Sequence, residues 1–117
     1  MKKYSLLFLV VLLAVAVHSC RYDNVEPKKA SLCDTTVHYL TTIQPLINAQ
    51  CVPCHSGPTP SGSVDFSTYA TVSSKALSIK IRVVTIGDMP QAGSGFTLTA
   101  AERQEFACWI EQGALNN

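Results

Sequence analysis

Five consecutive residues, Cys51-Val52-Pro53-Cys54-His55, restrict this chain more than any other feature of it. The pattern sets two thiols about one helical turn apart, with an imidazole directly behind the second. Each thiol can add to a vinyl group of a haem, and the imidazole then lies beneath the iron as its proximal axial ligand. A chain that carries haem c this way must fold around a large, flat, apolar body that cannot dissociate. Other uses of Cys-x-x-Cys have less support. A thioredoxin-like redox pair belongs in a strand–helix setting, which the flanking residues do not offer. A closed zinc site takes four ligands, and no second Cys-x-x-Cys or His pair is present. A plain structural disulfide is a third reading.

The N-terminus supports an exported protein. Met1-Lys2-Lys3 is a positive start, and Leu6 to Val17 is an unbroken apolar run of 12 residues. That length suits the core of a signal peptide and is short for a membrane span, which needs roughly 20 residues. The run ends at Val17-His18-Ser19-Cys20, a small residue followed by Cys, similar to a bacterial lipoprotein cleavage site. Residues 1–19 are therefore expected to be a lipoprotein-type signal peptide and Cys20 the lipid-bearing mature N-terminus. An ordinary signal peptide or an uncleaved anchor are the alternatives. Each places the domain outside the cytoplasmic membrane, on the periplasmic side, where disulfides persist. Residues 20–32 are polar and aperiodic and read as a lipid-anchored flexible linker.

Taking the 19 leader residues from 117 leaves 98, one small domain over residues 33–117 plus its linker. A chain this short buries a limited core and gains from a covalent staple or a cofactor. Without Lys2 and Lys3 the balance is seven basic against eight acidic side chains, with no basic run, so nucleic-acid binding has no support. With Cys20, Cys51 and Cys54 assigned, Cys33 and Cys108 remain, and an oxidising compartment suggests a disulfide between them. Two free buried thiols are the alternative.

Helical spacing joins Ile43, Leu46, Ile47 and Cys51, which predicts a helix from about Thr42 to Gln50 with Pro45 in its first turn. A loop by composition follows at Ser56–Ser63. Asp65-Phe66-Ser67-Thr68-Tyr69 opens a second helical stretch, with Phe66, Tyr69 and Ala70 on one face. Ala76 to Ile86 alternates like a strand over Ile79–Val83 but also fits a helix, and helix is preferred because no partner strand is visible. Gly87–Gly95 is a second loop. Thr99-Ala100-Ala101-Glu102 is a capping box, followed by Phe106, Trp109 and Ile110 on one face and Gly113 as a stop.

A low-spin iron needs a sixth ligand. Met89 lies 34 residues after His55 in the second loop, stiffened by Pro90. A lone Met in a polar, Gly-rich loop has no evident core to fill. His38, 13 residues before Cys51, is the competitor. Thioether ligation raises the potential relative to a second imidazole.

With Ile43-Gln44-Pro45-Leu46-Ile47, Cys51–His55, Thr68-Tyr69, Asp88-Met89-Pro90, Leu98-Thr99 and Cys108-Trp109-Ile110-Glu111-Gln112-Gly113-Ala114 in view, the chain resembles a small mono-haem class I c-type cytochrome. It is similar to lipoprotein cytochromes and to haem domains attached to some bacterial exported proteins. The resemblance implies an all-α fold of three or more short helices packed around one covalent haem c, with the first and last helices crossing. It implies Cys51 and Cys54 as thioether sites, His55 as proximal iron ligand and Met89 as distal ligand. The His55–Met89 spacing is shorter than in many members, which implies a more exposed haem edge. Cys33 and Cys108 are not part of the general family pattern.

The expected function is therefore not enzymatic. The domain carries single electrons between redox donors and acceptors at the membrane through the Fe(III)/Fe(II) couple, tethered by Cys20. Two other classes stay open. One is a peroxidase-like haem enzyme or ligand sensor with an open or labile sixth position. The other is a haem-free structural or metal module.

Overall fold

The apolar spacing of Ile43, Leu46 and Ile47 puts one greasy stripe on a short helix, and that helix leads straight into the Cys-x-x-Cys-His motif. The computed structural model describes residues 33–117. The expected signal peptide (1–19), the lipid site Cys20 and the linker (20–32) lie outside the described residues. Helical winding begins at Tyr39, earlier than the spacing alone predicts. Tyr39–Ile43 forms a π-helical turn that passes into α1, Gln44–Gln50. The change of winding coincides with Pro45, which has no N–H to donate to the carbonyl one turn behind it.

The second helix is shorter than expected. Asp65 to Thr68 is not helical, and α2 covers Tyr69–Ser74. Two local polar contacts account for this. Asp65 Oδ1 accepts the Ser67 N–H at 2.8 Å, closing a turn before the helix. Thr68 then serves as N-cap, its hydroxyl accepting the Thr71 N–H at 3.3 Å. Those Ser67 contacts hold the Asp65 carboxyl below its ordinary pKa. Phe66 is thus freed from a helix face to point elsewhere.

The ambiguous segment is helical, and no strand occurs among the described residues. It starts as α3, Ala76–Ile79, and widens into a π-helical stretch, Lys80–Ile86. Ile81, Val83, Val84, Thr85 and Ile86 are all β-branched. Such side chains crowd the preceding turn of an α-helix, and the wider winding relieves that crowding. Gly87 ends it in the left-handed region at φ 75°.

The longest helix among the described residues is α4, Ala100–Glu111, opened by the capping box read from sequence. The Glu102 N–H reaches Thr99 Oγ1 at 3.2 Å, and the Thr99 N–H reaches Glu102 Oε2 at 2.6 Å. At its other end the Gly113 N–H bonds the Ile110 carbonyl and the Ala114 N–H bonds the Trp109 carbonyl. This is a Schellman stop, and it needs the left-handed Gly113 at φ 98°.

Trp109, Phe106, Ile43, Ile47 and Val72 are the largest fully buried side chains. The core is thus the crossing of α4 with the π-turn and α1, closed by α2. Tyr39 lies across Trp109 at 5.6 Å between ring centroids and edge-on to Tyr69 at 4.9 Å, favourable aromatic geometries. The residues after α4 run back along this crossing. The Trp109 indole donates to the Leu115 carbonyl, the Tyr69 hydroxyl to the Ala114 carbonyl, and the Tyr39 N–H to the Asn117 side chain, all at 2.8–2.9 Å. Cys33 and Cys108 are joined as a disulfide with Cα atoms 5.3 Å apart, 75 residues apart in sequence. The bond ties the start of the described region to the last turn of α4.

Two outcomes are expected. Replacing both Cys33 and Cys108 by Ser lowers the free energy of unfolding in urea by about 2–4 kcal/mol. Thr99→Ala lowers it by about 1 kcal/mol at neutral pH. The hydrogen bonds from Thr99 hold the Glu102 carboxyl below its ordinary 4.5. Stability linked to that carboxyl is therefore present above pH 4.5 and lost as pH falls further, so the Thr99→Ala deficit shrinks in acid.

Candidate functional site

The Cys-x-x-Cys-His motif continues from α1 as a tight turn. The Cys51 and Val52 N–H groups both bond the Ile47 carbonyl, and the Cys54 and His55 N–H groups both bond the Cys51 carbonyl. This winding puts the Cys51 and Cys54 side chains on one side. The exit is fixed as well, because the Phe66 N–H donates to the His55 carbonyl at 2.8 Å. The Phe66 ring, released from helix by the Asp65 turn, lies 5.2 Å from the His55 ring.

These residues form one wall of a cleft of about 320 Å³. The volume falls in the roughly 300–1,000 Å³ range of ligand and cofactor sites. Cys51, Cys54, His55 and Met89 all line it, so the four side chains predicted from sequence meet at one place. Ile47 of α1, Ile79 of α3, Val83 of the π-stretch and Phe106 of α4 supply apolar walls. His38 does not line this cleft. It is exposed, and its carbonyl accepts the Thr42 and Ile43 N–H groups where helical winding starts.

Among the described residues, one buried side-chain polar atom lacks a hydrogen-bond partner, and it is Nδ1 of His55. Leaving such a group unpaired costs about 1–3 kcal/mol. Nδ1 is closed off from solvent, so any group in the cleft would meet the imidazole at its other nitrogen. Cys51 and Cys54 are not bonded to each other. Burial, and then the adjacent Cys54, push the Cys51 thiol up to about 11. This is the reverse of the lowered values that make a reactive redox or nucleophilic cysteine. Among the described residues no three His, Cys, Asp or Glu side chains gather as a group able to hold a bare metal ion. Two thiols, one imidazole and one thioether around apolar walls are a donor set that a haem would accept.

Two contributors to the site are not evident from sequence. Gln50, the last residue of α1, accepts the Thr97 N–H on its side-chain oxygen at 3.1 Å and so links the motif to the loop that carries Met89. Arg103 of α4 donates through Nη1 to the Met89 carbonyl at 3.0 Å and to the Val83 carbonyl. The available signal is that Arg103 stands near the start of a helix, where a cation is disfavoured.

In the haem-free protein, iodoacetamide is expected to label exposed Cys54 before Cys51 at pH 8. Cys51 keeps its proton in the fold after the unfolded thiol has lost it, so its stabilising effect is complete below pH 9 and disappears as pH rises from 9 to about 11. Peptide mass spectrometry across that range should show Cys51 labelling appear last, and a Cys51→Ala variant should lose the associated fall in stability.

Comparison with known proteins finds no family model, no curated protein and no solved structure that matches this chain.

Proposed function

We propose that this protein is an exported electron carrier, a class I-type c-type cytochrome domain holding one covalent haem c. The observation that carries the reading is that Cys51, Cys54, His55 and Met89 line one cleft with apolar walls. Bound there, the haem supplies a one-electron Fe(III)/Fe(II) couple.

The chain's own residues do the remaining work. Cys51 and Cys54 would hold the group as thioethers, and His55 and Met89 would ligate its iron. Ile47, Ile79, Val83 and Phe106 exclude water, which keeps the ligands in place and limits reorganisation as charge changes. Cys54 is exposed at the rim, so the edge next to it is where a redox partner would approach. A thioether on the distal side favours the reduced state more than a second imidazole would. The peroxidase-like alternative needs an acid–base side chain on the distal wall, and His38, the candidate for it, is exposed outside the cleft.

Cys20 would bear the lipid and residues 20–32 would act as a tether on the periplasmic side of a bacterial membrane. The folded domain would then reach both donors and acceptors at that surface. Among the described residues no helix is long and apolar enough to cross a membrane.

Expression of the full chain with a haem-attachment system tests the proposal. Haem should stay with the denatured polypeptide on a gel, and Cys51→Ala with Cys54→Ala together should abolish the stain. The oxidised protein should show a sulfur-to-iron absorption band that Met89→Ala removes. A colourless product from the wild-type chain would overturn the haem reading. Rapid binding of carbon monoxide or cyanide without that band would favour the open-site alternative.

A further inference from the structure

The loop bearing Met89 is Gly-rich, yet its first residues are held by an unusual set of contacts. At the end of the π-stretch the Arg82 carbonyl accepts from the N–H groups of Gly87, Asp88 and Met89. The next carbonyl along the chain is that of Val83. Arg103 takes it. The two hydrogens on Arg103 Nη1 go to the Val83 and Met89 carbonyls, so one guanidinium nitrogen clamps the end of the π-stretch to the Met89 peptide. Arg103 is half-buried, and neither of the two ion pairs among the described residues involves it. Its place in the opening turn of α4 works against the helix dipole. Local helix stability therefore does not explain its presence, and a cation that donates only to carbonyls can form charge-assisted bonds of about twice ordinary strength.

Resting on the haem reading above, the geometry points to Arg103 as the positioning residue that fixes the Met89 sulfur in the cleft and resists its displacement by outside ligands. Arg103 does not itself touch the haem in this account. It acts on the backbone at Met89 and on the helix end immediately before it. Removing it should leave the motif, α1 and the aromatic crossing of α4 intact, because the clamp lies beyond all three. The Met89 loop would keep the Met89 N–H bond to the Arg82 carbonyl and its anchor at Thr97 through Gln50, and lose the clamp on the Met89 carbonyl.

The test uses full-length, haem-loaded protein. Arg103→Gln should retain covalent haem and helical content while its sulfur-to-iron band weakens. Its ferric form should bind imidazole about tenfold more tightly, as expected from the loss of one or two charge-assisted bonds that favour the closed state. In a Met89→Ala background the same Arg103→Gln change should alter imidazole affinity by less than about twofold, because there is no sulfur left to hold. Lys80→Gln, which breaks the exposed Lys80–Glu111 pair away from the cleft, should leave both readouts unchanged. Arg103→Lys keeps the charge but not the fork and should give an intermediate shift, and it serves if Arg103→Gln does not accumulate. An unchanged band and imidazole affinity in the Arg103 variants would overturn the role given to Arg103. So would an equal effect with and without Met89. A wild-type protein lacking the band would instead overturn the Met89 ligation on which the inference rests.

Discussion

The structure depends on the crossing of α4 with the helical segment that begins at Tyr39. Trp109 and Phe106 are fully buried on α4, and Ile43 and Ile47 are fully buried opposite them. Each such side chain contributes about 1.5–3 kcal/mol by leaving water, and in a chain of this size few other sources exist. The crossing also fixes where chemistry can occur. Phe106 is both core and cleft wall, and Ile47 is both core and the carbonyl that starts the motif turn. The same packing that stabilises the domain therefore determines where Cys51, Cys54 and His55 stand. Disturbing the crossing would move the site with it.

The cleft is an incomplete piece of that core. Its walls are apolar, yet they do not meet, and an imidazole nitrogen remains buried without a partner. A small domain normally closes such a gap. Here the walls are held apart by elements with their own reasons for being where they are. The π-stretch is set by its β-branched run and ended by Gly87, and Phe66 is placed by the Asp65 turn. The opening is thus built by backbone structure and does not depend on a few side-chain rotamers.

Features with local causes were legible in the sequence. The Thr99–Glu102 capping box and the Gly113 stop are written within a few residues of each other, and both occur as read. The all-α character followed from helical spacing and from the lack of a partner for the alternating run at Ile79–Val83. Contacts between distant residues were not legible. Nothing near Tyr69 indicates that its hydroxyl serves the Ala114 carbonyl, 45 residues away. Nothing near Arg103 names Val83 and Met89. The misplaced start of α2 has a different origin, since Asp65 and Thr68 are both good caps and spacing alone cannot say which one the backbone uses. At the site, spacing singled out Cys51, Cys54 and His55, and composition singled out Met89. That these line a common cleft is a property of the fold.

The disulfide has a consequence for how this chain could mature. Four of its cysteines lie in one small domain, and two of them are bonded while two are free. Phe106 and Cys108 are two positions apart on α4, so they emerge about 200° around the helix from each other. Phe106 faces the cleft with the motif thiols, and Cys108 faces Cys33 on the other side. Cys108 is nearly inaccessible, at 4% exposure, whereas Cys54 is open to solvent. Chemistry at the motif thiols therefore takes place on the far side of α4 from the staple. One helix thus stands between the bonded pair and the free pair.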